Sequence, residues 1–153
     1  MGVTPSRLRR VMNLWPPFLF SGIRVEAISA DWRYARVRLK LRWYNRNYVK
    51  TQFGGALFAM VDPFWMILTL EALGRDYIVW DKAADIEFVA PGRSDVIAEI
   101  RIEDALLDEI RAATANGEKY LRWCDTEIKT ADGELIARVR KQIYVRRKQN
   151  AAA

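Results

Sequence analysis

Two adjacent glycines, Gly54 and Gly55, open a long apolar run, and one carboxylate, Asp62, lies seven positions beyond the second glycine. Asn47 and Gln52 precede the pair in a short polar stretch. Together these residue types suit attack on an acyl carbon. Backbone N–H groups at the positive end of a helix polarise a carbonyl and stabilise the oxyanion that forms on it. Desolvating a carboxylate such as Asp62 raises its proton affinity, which suits a general base; alternatively the carboxylate attacks directly. Side-chain amides can orient the water or hold the carbonyl. Each residue also has a purely architectural use. Glycines let a loop turn tightly against a strand, loop amides satisfy nearby backbone, and Asp62 followed by Pro63 is a cap that would start a second helical piece after a kink.

The rest of the composition limits the chemistry. Histidine is absent and Cys124 is the only cysteine. This excludes Ser-His-Asp and Cys-His catalysis, a multi-cysteine metal site and an internal disulfide framework. No metal or other cofactor is expected. Cys124, without a histidine partner, reads as a strand packing residue. A formal charge of +6 over 153 residues favours anionic partners. Ser6 to Phe20 resembles a signal peptide in charge and apolarity, but Pro16-Pro17 breaks its apolar centre, so the chain is expected in the cytoplasm.

These residues need a scaffold. From Gly54 to Leu73 only Asp62, Thr69 and Glu71 interrupt the apolar run. About 20 helical residues span roughly 30 Å, and a helix apolar all round must be buried. Two acids and a proline argue against a membrane span. We therefore expect a central helix wrapped by the chain, closed by Gly74. A short helix is expected from about Ser6, its cap, to Trp15, ended by Pro16-Pro17. Strands are expected over Gly22–Ile28 and from Tyr34, where Ala35, Val37, Leu39, Leu41 and Trp43 alternate with Arg36, Arg38, Lys40 and Arg42. Further strands are expected over Tyr77–Trp80 and Ala83–Val89, over Val96–Ile102, and over Tyr120–Thr130 and Glu134–Arg146. The last two meet at an Asp132-Gly133 turn. A helix is expected over Asp104–Asn116, and a frayed basic tail over 146–153. The tally is one α+β domain, five to six antiparallel strands around a long helix. The basic row beside Arg138 and Arg140 suggests a positive sheet face. With Trp43 on the apolar side it lacks stacking aromatics, so no nucleic-acid partner is expected.

This order resembles the hotdog fold of acyl-CoA thioesterases, most nearly the phenylacetyl-CoA type and a sister branch of unknown function. Three pieces carry the resemblance: Asn47, Gly54-Gly55 and Asp62; the stretch from Ile86 to Asp95; and the hairpin from Asp132 to Ala137. It implies a thioesterase acting on an acyl-CoA or acyl-carrier-protein thioester. Asp62 would be the base or nucleophile, Gly55 N–H the carbonyl polariser, and Asn47 or Gln52 a positioning group. Phe53, Gly54, Phe88 and Arg93 would bind substrate, with Trp65 a further candidate lining residue and Arg93 meeting a phosphate. It also implies a homodimer or dimer of dimers with sites at the seam. Many members carry histidine before the glycine pair, where this chain has Phe53; the alternative is a non-catalytic acyl-thioester or lipid binder on the same fold.

Overall fold

A computed structural model describes residues 2–149. Six strands, β1 (Ile23–Ile28), β2 (Tyr34–Leu39), β3 (Tyr77–Phe88), β4 (Val96–Arg101), β5 (Lys119–Thr130) and β6 (Leu135–Arg147), form one sheet in the order β1-β2-β4-β5-β6-β3. Every neighbouring pair is antiparallel. Period-two alternation sends Ala35, Val37, Leu39, Val96, Ala98, Ile100, Ile128, Val139 and Ile143 to the buried side. Against that side packs the central helical segment, α3 (Gly54–Ala59) and α4 (Phe64–Leu73), which buries Leu57, Met60, Val61, Phe64 and Leu68. This is the hotdog arrangement, α+β in class.

The segment has the expected extent but is not regular throughout. Met60 to Pro63 form a turn between the two pieces, because a proline ring cannot sit in a continuous helix without losing a hydrogen bond. Nor does one chain cover it on all sides: Phe58, Ala59, Met66, Ile67 and Leu70 remain half-exposed. By length and composition Gly54–Leu73 passes for a membrane span, yet it is the core helix of the sheet.

Several boundaries differ from expectation. α1 (Pro5–Leu14) is capped by Thr4, whose hydroxyl accepts from Arg7 N–H, rather than by Ser6. Pro16-Pro17 does not merely end that helix; it supplies the first turn of α2 (Pro16–Ser21), where missing N–H groups cost nothing. β2 stops at Leu39, short of Trp43. Lys40 N–H bonds to Gly22 O, Leu41 N–H to Asp95 Oδ1, and Asn45 Nδ2 to both Lys40 O and Ser21 O. These bonds turn the chain off the sheet, so Trp43 is exposed rather than on the apolar side. Tyr77 to Phe88 make one strand with a bulge between Asp81 and Ala83. The helix after β4 is α5 (Asp104–Ala113). The tail is ordered further than expected: Arg147 pairs with Tyr77 and Lys148 N–H bonds to Asp76 O, while residues 150–153 lie outside those described.

The sheet edges are treated differently. Asn13 pairs both its amide atoms with the Val25 backbone, so α1 covers the β1 edge. The outer edge of β3 has no partner strand among the described residues.

The expected positive face is charge-compensated. Arg36 and Arg38 share Glu26, Arg36 also reaches Glu99, Arg138 meets Glu87 and Arg140 meets Asp85. Burial pushes the Glu26 carboxyl up, but hydrogen bonds from Arg38 and Arg36 outweigh it and hold the group below its ordinary 4.5. The stabilisation is therefore present above that value and lost as pH falls through the lowered one. Glu26→Gln should lower stability at pH 7 by roughly 0.5–1 kcal/mol. The gap between urea melts of the two proteins should begin to narrow near pH 4.5 and close as pH falls through the lowered value; a constant gap across that range would remove the ion pairs as its cause.

Candidate active site

The candidate residues fall into two groups. The first surrounds the start of α3. A cleft of about 410 Å³ is lined by Asn47, Gln52, Gly54, Leu57, Phe88 and Gly92 among others. Ala56 and Leu57 N–H groups both return to Phe53 O. Those of Gly54 and Gly55 have no acceptor among the described residues, and no side chain caps the helix. A Cβ on Gly54 would stand 2.9 Å from the Phe88 ring and one on Gly55 2.6 Å from the Phe53 ring, so a side chain at either place would have to displace an exposed ring. Phe53 and Phe88 are themselves exposed rather than packed in the core.

The two amides are held by the loop. Asn47 Nδ2 donates to Thr51 Oγ1 and Gln52 O, and its Oδ1 accepts from Thr51 N–H. Gln52 is buried, and its Nε2 donates to Leu39 O and Ser94 O. Two carbonyl partners fix which end of the amide is nitrogen. Gln52 Oε1 is left buried and without a donor among the described residues. Arg93 sits exposed on the turn that follows Phe88. Trp65 is buried away from the cleft lining and donates to Thr126 Oγ1 at 2.8 Å. Cys124 is buried, and desolvation pushes its thiol up to about 12, leaving no thiolate near neutral pH.

The second group surrounds Asp62, at the turn after α3. It lies seven positions after Gly55, roughly 10 Å along a helix at about 1.5 Å per residue. Its carboxylate accepts from Lys141 Nζ at 2.6 Å, and Asp81 stands 3.1 Å from the same nitrogen. Lys141 is almost fully buried and its ammonium lies over the Phe58 ring. Asp62 itself remains half-exposed. The burial expected of a helix carboxylate falls instead on Asp81, whose Oδ1 is buried without a partner among the described residues. Burial pushes the Asp81 carboxyl up; Lys141 opposes this and the charge of Asp62 adds to it.

Neither Lys141 nor Asp81 was a sequence candidate, although a signal existed. Ala137, Val139, Ile143 and Val145 occupy the inward positions of β6, and Lys141 falls in the same alternation. A lysine in such a row needs a buried partner.

Over residues 6–145 the sequence matches the family described as Domain of unknown function (DUF4442). The chain belongs to this DUF4442 family. No curated protein matches it. Among solved structures it is similar to PA5026 from Pseudomonas aeruginosa, a protein of unknown function described as a probable thioesterase. The TM-score is 0.81 at 20% identity, covering 96% of this chain and 100% of the other. It is also similar to thioesterase HI1161 from Haemophilus influenzae, with TM-score 0.68 and 13% identity over 99% and 97% of the two chains. A mutant of thioesterase PA1618 from P. aeruginosa gives 0.66 and 13% over 92% and 93%. At these identities the likeness establishes the hotdog fold, which this DUF4442 chain shares.

The Lys141 cluster yields a double-mutant cycle. Either Asp62→Asn or Asp81→Asn leaves the ammonium one carboxylate, whereas the double variant leaves it buried and unpaired. The double variant should lose roughly 1–3 kcal/mol more than the two single losses together, read by urea unfolding. Strict additivity would show that the two acids do not share the lysine.

Proposed function

We propose that this protein is a thioesterase that hydrolyses an acyl thioester of coenzyme A or of acyl carrier protein, working as a homodimer or dimer of dimers. The observation that carries the reading is the pair of unspent Gly54 and Gly55 N–H groups beside a cleft walled by Phe88 and Gln52. The thioester carbonyl would sit on the Gly55 N–H, with Gly54 beside it, where partial positive charge lowers the cost of the oxyanion. Phe53 and Phe88 would flank the acyl group. Arg93, exposed on the following turn, would meet a carrier phosphate. Asn47 and Gln52 would act as positioning groups by holding the loop that presents the two glycines. Asp62 would take the water's proton as the new C–O bond forms, and collapse of the tetrahedral adduct would expel the thiolate. Direct attack by Asp62 through an anhydride is the other route open to a carboxylate. No metal or cofactor is required by either route.

The separation of Asp62 from Gly55 within one chain supports assembly at a seam, where the partner's Asp62 would face this chain's glycines. The unpaired β3 edge, the exposed Ile78, Trp80 and Phe88, and the half-exposed side of α4 supply apolar and hydrogen-bonding surface for a second copy. A single buried thiol is in keeping with the cytoplasm. The second reading is an acyl-thioester binder without turnover, favoured by Phe53 standing where many such enzymes have histidine.

Free-thiol release from short, medium, long and aromatic acyl-CoAs separates these. Asp62→Asn, folded as judged by circular dichroism, should lose turnover by about 100-fold or more. Equal activity in both proteins would remove Asp62 from the chemistry. Saturable binding of an acyl-CoA with no thiol released would establish the binder. Light scattering at micromolar concentration should give at least a dimer, and a monomer would overturn the seam.

A further inference from the structure

Charge is distributed unevenly along the chain. Residues 1–50 hold eleven Lys and Arg against two acids, Glu26 and Asp31, while the remainder hold fourteen against seventeen. Glu26 is taken up by Arg36 and Arg38, and Asp31 by Ser29. Arg7, Arg10, Arg24, Lys40, Arg42 and Arg46 have no carboxylate partner among the described residues. Arg24, opposite Arg38, and Lys40 lie at the end of the ion-paired sheet face, beyond its last carboxylate pairs.

The same part of the chain exposes large apolar side chains. Leu14 and Phe20 are each 73% exposed, Trp43 is 80% exposed, and Trp15, Leu19 and Tyr44 are about half-exposed. Asn45 gathers them: its Nδ2 bonds to Ser21 O at the end of α2 and to Lys40 O, and its Oδ1 accepts from Arg42 N–H. The end of α2, one residue after Phe20, is thereby tied to the loop that carries the Trp43–Tyr44 pair, which meets edge-to-face. On α1, positions 7, 10, 11 and 14 share one helical side, so Arg7 and Arg10 continue into exposed Val11 and Leu14. Ile23 and Leu39 pair at this end of the sheet, placing Arg24 and Lys40 beside the α2 terminus.

We propose that this face, α1 and α2 together with the 40–45 loop, docks the protein on an anionic lipid bilayer, with Leu14, Phe20 and Trp43 entering the headgroup boundary and the arginines facing lipid phosphate. Tryptophan and tyrosine favour that boundary, long aliphatic and aromatic chains gain by leaving water there, and unpaired cations are drawn to anionic headgroups. Exposed Trp43 and Tyr44 could stack on bases, but the aliphatic Val11, Leu14 and Leu19 on this part of the chain gain by entering lipid and nothing by meeting a nucleic acid, which fits less well. A second copy fits less well too, since a two-fold contact through this face would bring two sets of unpaired arginines together. The proposal does not depend on turnover.

The test is cosedimentation of the full chain with vesicles of phosphatidylcholine mixed with phosphatidylglycerol, beside vesicles of phosphatidylcholine alone, at low and high salt. The protein should follow the mixed vesicles only, and salt should release it. Phe20→Asp with Trp43→Asp, and separately Arg24→Glu with Arg42→Glu, should each cut the bound fraction roughly tenfold. Circular dichroism and light scattering confirm that both variants keep their fold and size. No binding to mixed vesicles at low salt overturns the proposal. So does undiminished binding by the Phe20/Trp43 variant, which would leave a charge effect alone and direct the arginines to nucleic acid. A smaller particle for that variant, with no vesicle binding by the parent protein, would make the face a seam between copies.

Discussion

A buried ammonium has to be neutralised, and much of this structure's local geometry answers that requirement. Lys141 projects from the inward row of β6 beneath the central helical segment, where an unpaired cation would cost several kcal/mol. Its two carboxylates come from different elements: Asp62 from the turn between α3 and α4, and Asp81 from the bulge of β3. One cation therefore ties together the last strand, the edge strand and the break in the helix. Pro63 helps set the turn that offers Asp62, and the bulge accompanies Asp81 on the same side. Two anions share one cation, so the cluster carries surplus negative charge. Asp81 absorbs the cost by holding its proton more tightly, while Asp62 keeps half its surface in water.

Arginine is used in two ways that composition alone cannot separate. Along β2 and β6 it lies opposite acids on β1, β4 and β3, so the basic row becomes a lattice of exposed ion pairs, each of modest worth. At the open end of β1 and β2 the cations have no acids opposite them. A net charge of +6 is thus the residue of a compensated sheet and an uncompensated end.

The sequence carried the order of elements, the Asp132-Gly133 turn and the glycine pair, because each rests on short-range chemistry: alternation, turn preference, apolar run. It did not carry the end of β2, since Leu41 and Trp43 continue the alternation perfectly well. Only the distant groups Asp95, Gly22 and Asn45 draw the backbone away. The same blindness hid the Lys141 cluster. Asp81 reaches it through a bulge that sequence spacing does not announce, and Lys141 sits among the cations of a basic strand. Asp62 is a candidate in the sequence; its partner Lys141 is not. Asn47 and Gln52 were placed near the glycines correctly, though most of their hydrogen bonds hold the loop and only Gln52 Oε1 remains unspent.

With no histidine, a thiol held up to about 12, and Tyr34 and Tyr120 both pushed above their ordinary range, proton transfer near neutral pH falls to carboxylates. Among the described carboxylates with a resolved shift, Asp81 is the one pushed upward. It is also the one that shares a cation with Asp62. That arrangement joins an anion with solvent access, a buried ammonium, and a neighbouring acid whose proton affinity is raised chiefly by burial and further by the charge of Asp62. Phe53, directly before the glycine pair, is exposed, and its ring lies 2.6 Å from where a Cβ on Gly55 would stand.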